Sequence, residues 1–333
     1  LLGVLPGTGG LTRVVDKRMV RRDRADVFST VAEGMKGRRA VTWGLVDEVA
    51  SLSRFEGAVE AAARGLADAG PAPVQKPDVG IVLPAMEVQE ADGGWSYRYV
   101  TAKVDEEARV ATLTLQVPED AGPTTPQAIR EAGAEWWIFR AFRELDDAML
   151  RLRFDRATAG TWLLQTRGPR QVMLDTDAAL ETHASDWLVH EVRHFIKRVL
   201  KRLDVSARST FALIDQGSCF VGTLLEVALS ADRTYMLDDP DGGVAVTLTS
   251  LNGGAYPTGN GLTRLQTRFL GEPEAVGRAL ERIGEALETP DADDLGLVTD
   301  APDDLDWEDT VRIAIEERAS LSPDALTGME ANL

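Results

Sequence analysis

A single cysteine, Cys219, stands among 333 residues. No disulfide can form within the chain, and the usage fits a reducing compartment such as the cytoplasm. No run of about 18 apolar residues is present that could cross a bilayer as a helix. The opening stretch LLGVLPGTGG lacks the basic start and the cleavage site of a secretory leader. An initiator methionine is missing too: Leu1 falls in the middle of what reads as an element, which suggests a fragment of a longer chain. Basic residues are outnumbered, 36 Lys plus Arg against 54 Asp plus Glu, giving a formal charge of −18. A field of that sign repels nucleic-acid phosphate and anionic lipid, so neither nucleic acid nor a membrane is expected as a partner. What is present is 44% hydrophobic and 27% charged, a globular composition with length for one large domain or two ordinary ones.

Residues 11–70 read mostly helical and end in the amphipathic, alanine-rich RFEGAVEAAARGLADAG. PAPVQKPDVGIVLP follows with four prolines and reads as a linker. SYRYVTAKVDEEARVATLTLQV alternates apolar and polar residues about an acidic turn, the pattern of a β-hairpin. Beyond it, two long helical patterns, EWWIFRAFRELDDAMLRLRFD and DWLVHEVRHFIKRVLKRLD, alternate with two apolar strand runs, TAGTWLLQTRG and STFALIDQG. A shorter helix is expected over TLLEVALSAD. Strands alternating with helices specify an α/β architecture.

One phrase occurs twice. PGTGGLTRV starts at Pro6 and reaches WGLVDEV at Gly44; PTGNGLTRL starts at Pro257 and reaches LGLVTDA at Gly296. The offsets, 257 − 6 = 251 and 296 − 44 = 252, differ by one residue, which argues for two copies of one module of about 250 residues. The phrase is no phosphate loop, since it lacks the Lys-Ser/Thr of a P-loop and the Gly order of a dinucleotide turn. Two readings stay open for its glycines: a sharp backbone turn beside a ligand, or a purely structural turn.

LLGVLPGTGGLTR followed by GLVDEV resembles the closing part of the enoyl-CoA hydratase (crotonase) superfamily module, where a proline–glycine turn leads into a helix and a Gly-Leu-Val segment closes the core. The second copy matches over more of its length. RVATLTLQVPED is similar to the family's opening hairpin, GTLLEVALSAD to its oxyanion-loop helix, and SLSPDALTGMEANL to its C-terminal helix. The resemblance implies a crotonase fold in two tandem modules, each a spiral of ββα units whose terminal helices pack on a neighbour, and hence a homo-oligomer. Residues 1–70 would end a truncated first module, 71–93 would be a linker, and 94–333 a second module. VVDKRMVRRDRADVF and GSCFVGTLLE look most like a ring-opening branch of the superfamily acting on 2,3-epoxybenzoyl-CoA. That branch implies a CoA-thioester substrate and formate release, with no cofactor beyond the coenzyme A of the substrate. An ordinary hydratase or isomerase is the alternative enzyme. A non-catalytic module that binds CoA or holds subunits together is the alternative of another class.

Family chemistry needs two backbone N–H donors to polarise a thioester carbonyl and carboxylates to move protons. Carried over residue by residue, Glu226 takes the first glutamate's place, and the N–H donors fall on Cys219 or Phe220 and on Thr223. Gly217, Gly222, Gly7, Gly9, Gly10, Gly259 and Gly261 become candidate substrate contacts. The second glutamate's position holds Ser250, a hydroxyl with no basic role at neutral pH.

HEVRH, His190 to His194, competes as a zinc-protease signature. The apolar stripe Leu188, Val192, Phe195, Val199 and Leu203 leaves both histidines on the opposite polar face, so a solvated helix is expected and no metal site. Cys219 reads as a buried thiol rather than a nucleophile. The basic run DKRMVRRDR could reach a CoA phosphate or line a subunit contact. Trp136, Trp137 and Phe139 are expected in the core or an interface.

Overall fold

A computed structural model describes residues 9–70, 80–91 and 93–330. The chain divides into two compact units, Leu1–Val79 and Gly80–Leu333. Gly7 lies outside the described residues.

The first unit is helical: α1 (Gly10–Thr12), α2 (Arg22–Thr30), α3 (Gly37–Thr42) and α4 (Phe55–Ala69). A clasp joins its sequence landmarks. Arg18 donates from Nε to the Gly44 carbonyl at 2.8 Å and reaches both Asp47 oxygens at 2.9 and 3.0 Å. Gly44 adopts φ 77 and closes α3, with Leu45 N–H returning to Ala40 at 2.9 Å.

The second unit begins before the opening hairpin. Strands β1 (Gln89–Ala91), β2 (Gly94–Ser96), β3 (Val100–Asp105), β4 (Val110–Gln116), β5 (Thr161–Arg167), β6 (Ser209–Ile214) and β7 (Arg233–Met236) form one sheet in sequence order. Pairings from β1 to β4 are antiparallel and those from β4 to β7 parallel. The linker reading of 71–93 is thus corrected at its far end, because β1 pairs into the sheet. Residues 71–79 of that linker lie outside the described residues.

Helices cross between the parallel strands. α5 (Pro126–Ala132) and α6 (Trp137–Asp155) link β4 to β5, and α7 (Arg170–Thr182) and α8 (Trp187–Asp204) link β5 to β6. Every residue of β6 is buried, as a parallel strand covered on both faces must be. One face packs Leu113, Leu115, Leu164 and Ile214 against Phe142, Leu145 and Leu152 of α6 and Val192, Ile196 and Val199 of α8. Trp136 and Trp137 are buried there, as expected of core residues, and Phe139 lies 5.3 Å edge-on to Phe195. Burying each such side chain contributes about 1.5–3 kcal/mol.

Past β6 come α9 (Leu225–Leu229), a two-stranded sheet of β8 (Ala245–Val246) with β9 (Leu287–Glu288), then α10 (Arg264–Arg268), α11 (Pro273–Glu281), α12 (Thr289–Asp294), α13 (Trp307–Ala319) and α14 (Pro323–Glu330). The second copy repeats the clasp of the first. Arg268 Nε donates to the Gly296 carbonyl at 2.6 Å, Gly296 has φ 71, and Leu297 N–H returns to Ala292 at 2.9 Å. The repeated phrase therefore marks a repeated local structure. Both glycines sit in the left-handed region, where a Cβ is strained.

The terminal helices also touch their own sheet unit. α13 covers the other face of its own sheet, with Val311, Ala314 and Ile315 against Leu163, Phe211 and Tyr235. α14 is held by Glu330, which accepts from Ser209 Oγ at 2.6 Å.

Candidate functional site

Strand β6 ends at Ile214 and the chain turns through Asp215–Ser218, where Arg167 pairs with Asp215 and also reaches the Ser218 hydroxyl. Gly217 tops this turn, exposed, with open space around it. Cys219 follows, fully buried, and burial pushes its thiol up to about 12. Its N–H donates to Thr166, at 3.0 Å to Oγ1 and 3.3 Å to the carbonyl, so that donor is already used within the protein. Phe220 is fully buried and its carbonyl accepts from Thr247 N–H at 3.2 Å.

Gly222 adopts φ 48, and a Cβ there would come within 1.7 Å of Asp177 Oδ2. Only glycine lets the backbone pass this close to the carboxylate. Asp177 comes from α7 and converges on the residue after Gly222. Its Oδ2 accepts the Thr223 N–H at 2.9 Å and the Thr249 hydroxyl at 2.8 Å; its Oδ1 accepts the Thr223 hydroxyl at 2.6 Å. Tyr256 Oη lies 3.1 Å from the same Thr223 hydroxyl. The Asp177 side chain is buried with no cation among its hydrogen-bond partners in the described residues, and burial pushes its carboxyl up to about 7 against the pull of Thr223 and Thr249.

Glu226, on α9, faces the opposite fate from a free base. Its Oε1 accepts from Asn252 Nδ2 at 2.7 Å and its Oε2 from Arg264 Nη1 at 2.9 Å. Arg264 also binds both oxygens of Asp204 at 3.0 and 2.7 Å and the Tyr256 carbonyl at 2.9 Å. Side-chain exposure is 2% for Arg264 and 3% for Glu226. Burial pushes the Glu226 carboxyl upward, opposed by Arg264 and Asn252. The expectation that Glu226 moves protons finds no support in this arrangement, since both its oxygens are engaged in a closed ion-pair cluster.

The repeated phrase supplies that cluster. Thr258–Leu262 forms an exposed turn carrying Gly259 and Gly261, with Thr258 N–H on the Leu262 carbonyl at 2.8 Å. Thr263 caps α10 through a reciprocal bond pair with Gln266, which delivers Arg264 inward. No side chain or backbone lies within 4 Å of where a Cβ would stand on Gly9, Gly10, Gly259 or Gly261. Gly9 and Gly261 adopt φ 73 and 91, in the left-handed region that favours glycine.

Ser250 is exposed and opens a short 3-10 turn. It lines a cavity of about 270 Å³ together with Leu174, Asp177, Glu181 and Ile283, below the roughly 300–1,000 Å³ of ordinary ligand pockets. His190 and His194 lie on the exposed face of α8, their Nε2 atoms 3.1 Å apart. Among the described residues no group of three or more His, Cys, Asp or Glu is placed to hold a metal ion, and no helix is long and apolar enough to cross a membrane. Sequence reasoning missed Asp177, Asp204, Asn252 and Tyr256. Arg264 carried a signal, because its Leu-Thr-Arg recurs at Arg13.

Comparison with solved structures defines the class of fold. An enoyl-CoA hydratase from Bacillus halodurans superposes with a TM-score of 0.50 at 17% identity, covering 70% of this chain and 84% of that one. An enoyl-CoA hydratase/carnithine racemase from Magnetospirillum magneticum gives 0.51 at 16% identity, covering 71% and 80%. The chain has the crotonase fold. No protein-family model matches it. Among curated proteins it is 48% identical, over all 333 residues, to the benzoyl-CoA-dihydrodiol lyase of Aromatoleum evansii. It spans 60% of that protein's length.

Proposed function

We infer that the protein carrying this sequence is a lyase that opens the ring of an aromatic-derived CoA thioester. The observation that carries this reading is the 48% identity to a benzoyl-CoA-dihydrodiol lyase over all 333 residues. The substrate of this proposal is 2,3-epoxybenzoyl-CoA. Water is taken up, a ring carbon–carbon bond breaks, 3,4-dehydroadipyl-CoA semialdehyde forms, and a ring carbon leaves as formate. Coenzyme A enters only as part of the substrate, and the proposal invokes no metal or redox cofactor. A reducing cytoplasm suits the single buried thiol of Cys219. A homo-oligomer remains part of the proposal.

A second reading concerns the role of residues 80–333 within that enzyme. Three observations favour a non-catalytic module there: the Thr223 N–H is already occupied by Asp177, Glu226 is locked to Arg264 and Asn252, and Ser250 stands where a second carboxylate is needed. The same facts argue against an ordinary two-glutamate hydratase in this unit. Proton-moving carboxylates would then come from outside residues 80–333. The test is formate release from 2,3-epoxybenzoyl-CoA by the full-length protein, wild type beside Glu226→Gln. Formate release by both supports both readings. A folded but inactive variant overturns the second, and no formate from wild type overturns the first.

A further inference from the structure

The Asp177 carboxylate meets three hydrogen-bond donors: Thr223 N–H and Thr249 O–H converge on Oδ2, at 2.9 and 2.8 Å, and Thr223 O–H reaches Oδ1 at 2.6 Å. All three come from two chain segments remote from α7, so the constellation is tertiary and does not depend on local helix geometry. The Thr223 N–H is the donor that the fold resemblance assigns to a thioester oxygen. A developing oxyanion and a carboxylate oxygen ask for the same thing, short donors converging in a dry site.

We propose that Asp177 is a resident anion: its carboxylate fills the oxyanion seat of the second module, so that no thioester carbonyl can enter. Three further facts fit. Asp177 is only 2% exposed. Gly222 leaves no Cβ where one would collide with Asp177 Oδ2. Tyr256 closes the far side of the Thr223 hydroxyl. Among the described residues none of Asp177's hydrogen-bond partners is a cation, which separates it from Glu226 and Asp204, both held by Arg264. A carboxylate held only by neutral donors is what an anion receptor provides.

This inference rests on the reading of residues 80–333 as non-catalytic, but its test needs no CoA substrate. If the seat is absent, the lyase reading is untouched; if the protein is no lyase, the anion response stands.

Asp177→Ala removes the carboxylate and leaves room for formate, its nearest free counterpart. The full chain is melted at pH 8, where Asp177 is ionised, in rising sodium formate, with equimolar formamide as the neutral isostere and sodium chloride as the ionic-strength control. The alanine variant is expected to gain about 3 °C or more in Tm at 100 mM formate over both controls, the response of a site half-filled near roughly 10 mM. Wild type is expected to show no formate-specific gain, because its seat is filled. Asp177→Asn is expected to behave as wild type, since an amide can still accept from Thr223 N–H. Equal response of the alanine variant to formate, formamide and chloride overturns the proposal. So does a formate-specific gain of the same size in wild type. Should the alanine variant be unfolded in plain buffer, refolding yield is read across the same series: recovery in formate supports the seat, and no recovery overturns it.

Discussion

Replacing Arg264 by methionine removes the cation that holds the second unit's polar core together. The side chain is 2% exposed and donates to Glu226, to both oxygens of Asp204 and to the Tyr256 carbonyl. Methionine matches much of its length and volume, so the loss is mainly of hydrogen bonds and charge. Glu226, 3% exposed, is left with Asn252 alone. Asp204, 19% exposed, keeps a path to water and loses less. Breaking a buried pair by removing one partner costs about 3–5 kcal/mol, against a total stability of about 5–15 kcal/mol. For a unit of this size the melting temperature should fall by about 10 °C. Burial already pushes both orphaned carboxyls upward, and loss of Arg264 raises them further. Their protonation then relieves the defect, so the loss should be largest at pH 8 and shrink toward pH 5. Adding Glu226→Gln should return part of the stability, because the two sites couple through one contact. Thermal melts of the single and double variants at both pH values decide the matter. A fall below about 2 °C at pH 8, with no change toward pH 5, would refute the picture of a closed ion-pair cluster.

Asp177 gives a pH signature of its own. Its carboxyl is raised from 3.8 to about 7 in the folded protein, so its contribution is fully present below about pH 4 and is lost as pH rises through about 7. Asp177→Asn should flatten that dependence in urea titrations run from pH 4 to 8; an unchanged slope would count against it. Cys219, fully buried with its thiol pushed up to about 12, should resist alkylation by iodoacetamide in the folded chain and react once urea unfolds it. Fast labelling of the native protein would show the thiol to be accessible.

Much of the scaffold was legible in the sequence. The apolar runs at β5 and β6 and the amphipathic helices α6 and α8 stood within a few residues of where they lie, because burial on two faces or on one stripe leaves a strong periodic mark. The doubled Leu-Thr-Arg and Gly-Leu-Val segments mark the two Arg-to-glycine clasps, Arg18 on Gly44 and Arg268 on Gly296. Other elements left weaker marks. The helix expected over TLLEVALSAD shortens to Leu225–Leu229, since Asp232 is drawn off to accept from Thr210 N–H at 2.6 Å. Strand β1 hid in what reads as a linker because three residues pairing at a sheet edge need no hydrophobic pattern. The site was the least legible part. Motif alignment can find Glu226 and Thr223, but not that Arg264 engages one and Asp177 the other. Those partners lie 38 and 46 residues away, and a lone Asp on α7 looks like any polar helix residue.

The most direct test of the central claim is formate release from 2,3-epoxybenzoyl-CoA by the full-length protein and by its Glu226→Gln variant, both checked for folding. The account predicts formate from both, at rates within about threefold, because an ion-paired Glu226 takes no part in proton transfer. A folded variant slowed by about a hundredfold or more would place catalysis in the second unit and contradict the account, and no formate from wild type would remove its substrate.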